Sequence, residues 1–264
     1  MTVHLDHDDL EHHLRRRHTP ARSDAVRRHL DACTPCWERW NAHRWDAARH
    51  HPLHDELAAF LEPAFRPGTD SSRNLADKWD RADPRTPAEA AAFFRASTSY
   101  LYNLVIWEAS GHRPHYLDAA LPALTTSAAR TVLDLGSGIG SDAIALTRHG
   151  YDVTTCDHDS PSTRFAHHRH AGTIPRIDPE HLGPDHAADA LWIIDTLDHL
   201  PDPDATLGPL LARTRIVITE DLRENRAHGR QRFHHRRPHS EATRMFARHG
   251  LRPTTKYPIM VWAR

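Results

Sequence analysis

Thr131-Val-Leu-Asp-Leu-Gly-Ser-Gly-Ile-Gly140, continued through Ser141–His149 to Asp152-Val-Thr-Thr-Cys-Asp157, decides how this chain folds. The apolar run over 131–135 predicts a buried strand. Glycines at 136, 138 and 140 predict a tight turn whose backbone approaches a ligand, where a Cβ would intrude. Residues 141–149 have helical spacing, and 152–156 read as a second strand ending at an acid. Strand, glycine turn, helix and strand in that order form the first half of a doubly wound, nucleotide-binding sheet. Asp157, 21 residues past Gly136, stands where a carboxylate accepts hydrogen bonds from ribose hydroxyls.

The glycine spacing narrows the ligand. A dinucleotide turn reads GxGxxG, with its third glycine opening a helix toward a pyrophosphate. Here the third glycine comes one residue early and Ser141 holds the dinucleotide position. Gly-Ser-Gly-Ile-Gly preceded by Leu133-Asp134-Leu135 resembles motif I of the class I S-adenosylmethionine (SAM) dependent methyltransferases, which bind no pyrophosphate. The resemblance implies an α/β fold: a Rossmann-like class I methyltransferase sheet with helices on both faces. It also implies SAM contacts from Asp134, Gly136, Ser137, Gly138, Gly140, Asp157 and His158, with Asp195 and Thr196 beneath and Asp178 beside the adenine.

A second stretch points the same way. Ala188-Asp-Ala-Leu-Trp-Ile-Ile-Asp-Thr-Leu-Asp-His-Leu-Pro-Asp-Pro203 resembles the fourth-strand region of small-molecule methyltransferases. The carboxyl end of a central strand beside the topological switch point is where open α/β sheets bind ligands, so Asp195, Thr196 and His199 are expected to border the transfer site. DNA amino-methyltransferases carry Asn/Asp-Pro-Pro-Tyr/Phe here. This chain has Asp195-Thr-Leu-Asp198, which disfavours nucleic acid as the substrate. Candidate bases are His199, His239 and Tyr102, with Tyr100 as an alternative to the last. His199 is open to a second reading as a packing residue that orients its loop.

Size and composition set the bounds. The chain has 264 residues, room for one large α/β domain or one domain and a small appendage. Its 34 Lys and Arg against 35 Asp and Glu give a net charge of −1, which predicts no polyanion partner. The 25 histidines are read mostly as surface composition. No apolar run nears 18 residues, so no transmembrane helix is expected, and the first residues lack the apolar core of a signal peptide. Three cysteines argue against a disulfide framework, and a reducing cytoplasm is the default expectation.

Along the chain, residues 1–50 read as short helices punctuated by Pro20 and Pro35, and 62–87 as a linker or irregular crossing. Thr86 and Glu89 form a helix-start pattern for one helix over 88–107, followed by another over about 113–124. Strands are expected at 131–135, 152–156, 174–177, 190–194 and 215–219, then a helix over 240–249 stopped by Gly250 and a terminal strand pair over 251–255 and 258–263. The domain expectation is a helical module over 1–50, a linker with lid helices over 51–115, and a SAM-binding domain over 116–264.

His29-Leu-Asp-Ala-Cys33-Thr-Pro-Cys36 has H-x3-C-x2-C spacing. His29 and Cys33 fall one helical turn apart, and Cys36 returns across a Pro-containing turn, so three ligands converge on one tetrahedral ion. His4 is the chosen fourth ligand, with His7 as the alternative. The run Ala25–Trp37 resembles the zinc-binding domain of anti-sigma factors. That implies a structural Zn²⁺, from which a small helical segment with little core would gain folding energy. Cys156 reads as a core residue.

Arg226-Ala-His-Gly-Arg-Gln-Arg-Phe-His-His-Arg-Arg237 reads first as a solvated loop, and otherwise as a binder of phosphate or carboxylate. The expected function is methyl transfer from SAM to an O, N or S atom of a small molecule. The rival is a zinc-containing redox-sensing or regulatory protein that binds SAM without turnover.

Overall fold

Val132, Leu133 and Leu135 are buried on both faces of their strand, the pattern of a central parallel strand covered by helices on either side. The computed structural model describes residues 4–68, 72–222, 234–235 and 237–264. The chain forms two units. The first draws its described residues from Met1–Arg85 and Ala96–Pro114, and the second from Thr86–Arg95, His115–Glu224 and Phe233–Arg264.

The first unit is helical: α1 (His7–Leu14), α2 (Pro20–Ala32), α3 (Thr34–Ala48), α4 (Pro52–Leu61) and α5 (Ser72–Ala82). Its starts follow from sequence. Asp6 caps α1 by accepting from the Asp9 N–H, and Thr19 caps α2 ahead of Pro20. Leu10, Leu14, Val26, Leu30, Cys33, Cys36 and Trp40 form the core of this part. α5 lies inside the segment read as a linker: Leu75 and Ala76 are fully buried, enough apolar anchorage to hold a helix between the turns.

The single helix expected over 88–107 is two, α6 (Pro87–Ala96) and α7 (Thr98–Ala109). Ser97 is the cause: its backbone is extended and its hydroxyl accepts from the Tyr100 N–H, restarting the helix as an N-cap. The start of α6 is the expected capping box, with Glu89 accepting from the Thr86 N–H and Thr86 from the Glu89 N–H.

The second unit continues through α8 (Tyr116–Thr126), β1 (Thr131–Leu135), α9 (Ser141–Arg148), β2 (Asp152–Cys156), α10 (Pro161–Arg169), β3 (Arg176–Ile177) and β4 (Ala190–Ile193). It ends with α11 (Pro203–Leu211), β5 (Ile216–Glu220), α12 (His239–Arg248), β6 (Arg252–Lys256) and β7 (Ile259–Ala263). The seven strands run in the order β3-β2-β1-β4-β5-β7-β6, parallel except for β7, which is antiparallel to both neighbours. This is the class I methyltransferase sheet expected from the sequence, closed by its antiparallel terminal pair. Edges are handled simply: β3 is two residues long, and β6 carries Pro253, which an edge strand tolerates. Trp192, Trp262 and Phe246 are fully buried around the sheet. No helix among the described residues is long and apolar enough to cross a membrane.

Candidate functional site

The order of strands reverses between β1 and β4, and the glycine turn leaves β1 at that switch point. Gly136 has φ +75° and donates its N–H to the Cys156 carbonyl at 2.8 Å, which holds the turn to the end of β2. Gly140 has φ +74°, sits at the N-cap of α9 and donates to the Ser137 carbonyl at 2.8 Å. Both conformations disfavour any residue with a Cβ. Asp134, on β1 directly before the turn, is 3% exposed.

Asp157 organises the turn. Its Oδ2 accepts the Gly138 N–H at 2.8 Å and its Oδ1 accepts the His158 N–H at 2.7 Å. Burial pushes its carboxyl above the usual aspartate value, against the pull of these two N–H groups and of His158 and Arg176. Each carboxylate oxygen keeps a second acceptor direction, so the group that shapes the loop also retains capacity for a hydroxyl.

Two arginines that the sequence did not single out brace this region. Arg169, ending α10, donates Nη1 to the Ile139 carbonyl at 2.7 Å and to the Ser141 hydroxyl at 2.8 Å. Arg95 of α6 reaches His158 Nδ1 at 3.3 Å, Asp178 Oδ1 at 3.3 Å and Glu180 Oε1 at 2.7 Å. Burial works against the Asp178 charge, but the Glu180 N–H, Arg95, His158 and Arg176 outweigh it and hold the carboxyl below its ordinary value.

At the end of β4, Asp195 adopts φ +53° and its N–H donates to Glu220 Oε2 at 2.9 Å. Thr196 lies against Gly136. His199, half-buried in a 3-10 turn, has its ring 5.7 Å from Phe94, edge-on, and 4.5 Å from the His234 ring. Asp198 accepts the Arg237 N–H at 3.3 Å. Of the basic stretch, His234, His235 and Arg237 fall among the described residues and the others lie outside them. The Nε2 of His239 is 3.3 Å from the Thr243 hydroxyl, and its Nδ1 is buried with no partner among the described residues. Asp189, the acid opening the second signature, accepts from the Arg130 and Thr131 N–H groups and ties β1 to β4 at the opposite end of the strands.

Tyr102 belongs to the first unit. It is 1% exposed, stacks on Phe65 and accepts the Arg66 N–H at 2.7 Å. The described contacts of its hydroxyl and ring are those of a packed core residue.

Also in the first unit, His4, His29, Cys33 and Cys36 place one ligand atom each within 4.8 Å of one another. His4 Nδ1 lies 3.3 Å from both Sγ atoms, and His29 Nε2 lies 3.2 Å from Cys36 Sγ. His7, the alternative to His4, instead sets its ring edge-on to His43 at 5.3 Å. Burial works against the Cys36 thiolate, yet hydrogen bonds from Arg39 and His29 prevail and bring the thiol to about 6.

The sequence comparisons bear on the second unit. The family model described as a methyltransferase domain matches residues 109–253. The chain belongs to the methyltransferase domain family. A ubiquinone biosynthesis O-methyltransferase of Paramagnetospirillum magneticum is 34% identical to this chain over 90 residues. That match covers 32% of this chain and 36% of the relative, so the methyltransferase domain chain spans about a third of that relative's length. Among solved structures, a magnesium protoporphyrin IX methyltransferase from Synechocystis with bound SAM aligns with a TM-score of 0.47 at 17% identity. It covers 71% of this chain and 90% of its own. A 1,6-didemethyltoxoflavin-N1-methyltransferase of Burkholderia thailandensis aligns with a TM-score of 0.46 at 19% identity, covering 69% and 91%.

Proposed function

We propose that this protein transfers a methyl group from SAM to an O, N or S atom of a small molecule. The observation that carries the reading is the bond from Gly138 N–H to Asp157 Oδ2, which locks a three-glycine, positive-φ turn at the switch point of the sheet. Gly136, Ser137, Gly138 and Gly140 offer backbone to the ligand. Asp134 and His158 flank the turn, and Asp195 and Thr196 border it from β4. Asp157 receives the ribose hydroxyls through its remaining acceptor directions.

When bound, SAM supplies an activated methyl group, so the protein's task is alignment and exclusion of water. An O or N acceptor also needs a base, and a thiol acceptor largely does not. His199 is the base this site supports best: it follows the Asp195–Thr196 edge, and its imidazole is framed by Phe94 and His234. His239, with Nε2 engaged by Thr243, and Tyr102, in its packed environment, are weaker choices for moving a proton.

The second part of the reading is a structural Zn²⁺ held by His4, His29, Cys33 and Cys36. The donor set supports it: two imidazoles and two thiols whose atoms span no more than 4.8 Å suit a tetrahedral ion.

The test is release of S-adenosylhomocysteine when SAM and extracted small molecules are added. Turnover with an extract fraction is expected. His199→Ala is expected to keep SAM binding and to lose roughly 10²–10⁴-fold in turnover of an O or N acceptor. SAM binding without turnover in any fraction would favour a regulatory, binding-only role.

A further inference from the structure

Glu220 ends β5 with its side chain buried, 2% exposed, and the methyl-transfer reading gives it no task. No spacing in the sequence singles it out. β4 and β5 stay paired as far as Ile193 and Thr219. Beyond that pair the β4 chain leaves the sheet, and Asp195 turns into the left-handed region at φ +53°. Aspartate enters that region more readily than most residues, yet still at a cost, so the turn needs a partner to hold it.

Glu220 is that partner. Its Oε2 accepts the Asp195 N–H at 2.9 Å. A backbone donor that has left the strand ladder is thus taken up by a side chain of the neighbouring strand.

The residues after Asp195 hang from this turn. Thr196, at φ −122° and ψ −33°, fills the space beside Gly136 in the glycine turn. Its carbonyl accepts the His199 N–H at 2.9 Å, which closes the 3-10 turn that carries His199. One backbone bend therefore places both the edge facing the glycine turn and the histidine of the transfer site.

We propose that Glu220 is the positioning residue of the methyl-transfer site. Through the Asp195 N–H it sets the Asp195–Thr196 edge against the glycine turn, and so fixes the affinity for SAM by acting on Asp195 rather than on SAM. The proposal rests on the SAM reading given above.

The preceding residue supplies a control. Thr219 is fully buried, and its hydroxyl accepts the Trp262 Nε1–H at 3.1 Å. Successive strand residues face opposite sides of the sheet, so Thr219→Val removes a buried hydrogen bond on the side away from Glu220.

The test is calorimetric titration of the full-length protein with S-adenosylhomocysteine, well below each variant's thermal midpoint, with amide hydrogen exchange read over residues 194–200. Glu220→Ala should bind about tenfold more weakly or worse and lose protection at the Asp195 amide. Glu220→Gln keeps a side-chain carbonyl for the same N–H and should stay within about threefold of the parent. Glu220→Asp, which draws the carboxylate back by one methylene, should behave as Glu220→Ala does and replaces it should the alanine variant not fold. Thr219→Val should lower the midpoint and keep the parent's affinity. Parent affinity in both Glu220→Ala and Glu220→Asp would overturn the proposal. So would a loss in Glu220→Gln as large as in Glu220→Ala, or an equal loss in Thr219→Val, which would make the effect one of stability alone. A folded parent that binds no S-adenosylhomocysteine would refute the SAM reading and the proposal together, and the parent titration by itself tells that case from the others.

Discussion

Thr196 occupies the space in which a side chain at position 136 would begin: a Cβ on Gly136 would lie 2.0 Å from Thr196 Oγ1 and 2.8 Å from its Cβ. The end of β4 thus closes against the turn leaving β1, and only a glycine permits it. With φ at +75° as well, Gly136→Ala carries both strain and overlap. The expected cost is about 2–3 kcal/mol of stability, read from the denaturant midpoint, together with loss of S-adenosylhomocysteine binding. A variant as stable as the parent would show that the turn relaxes freely.

Arg95 joins α6 to the loop after β3 through Asp178 and Glu180, and to His158 after β2. Its side chain is about one-third exposed, so its value for folding is small. Arg95→Ala is expected to weaken SAM binding by up to about fivefold while leaving the thermal midpoint nearly unchanged. A large drop in the midpoint with unaltered affinity would instead make Arg95 a purely structural clamp.

The helical unit should lose stability in acid. His13 and His112 are buried together with Trp40, their rings 5.3 Å apart. Burial, with Arg27, His18, Arg16 and Arg44 nearby, holds His13 at about 3, and burial with His13, Arg44 and Arg16 holds His112 well below 6.5. Both are therefore neutral when folded and charge more readily when unfolded. Their contribution is complete above about pH 6.5 and is lost as pH falls toward 3, roughly 4 kcal/mol for His13 alone. Denaturation curves between pH 8 and 4 should show a falling midpoint, with a shallower slope in His13→Phe. A flat profile would contradict the burial of these rings.

Metal content separates the zinc reading from chance clustering. Elemental analysis should find one zinc per chain, lost in Cys33→Ser. Chelation should remove helical ellipticity contributed by residues 4–48 and leave S-adenosylhomocysteine binding largely intact, because the metal's binding energy is folding energy for a small module. Unchanged circular dichroism after complete metal removal would count against it.

Local signals carried much of this architecture. The apolar runs of β1 and β4, the glycines at positive φ and the Thr86–Glu89 box all act within a few residues, and all are legible in order. The break at Ser97 is not, because apolar spacing continues across it and a single serine hydroxyl decides between a helix interior and a cap. The Arg169 clamp on Ile139 and the bond from Trp192 Nε1 to Asp142 Oδ2 are also illegible. They join residues 30 and 50 positions apart through side chains with no spacing signature. At the His/Cys cluster the H-x3-C-x2-C spacing supplies three members, while His4 is distinguished from His7 only by where each ring comes to rest.

Calorimetric titration with S-adenosylhomocysteine, comparing the parent protein with Asp157→Ala, tests the central claim most directly. Asp157 shapes the glycine turn and is the proposed acceptor of the ribose hydroxyls, so micromolar binding by the parent and its loss in the folded variant are expected. No binding to folded, metal-replete parent protein, or equal binding by the variant, would contradict the account.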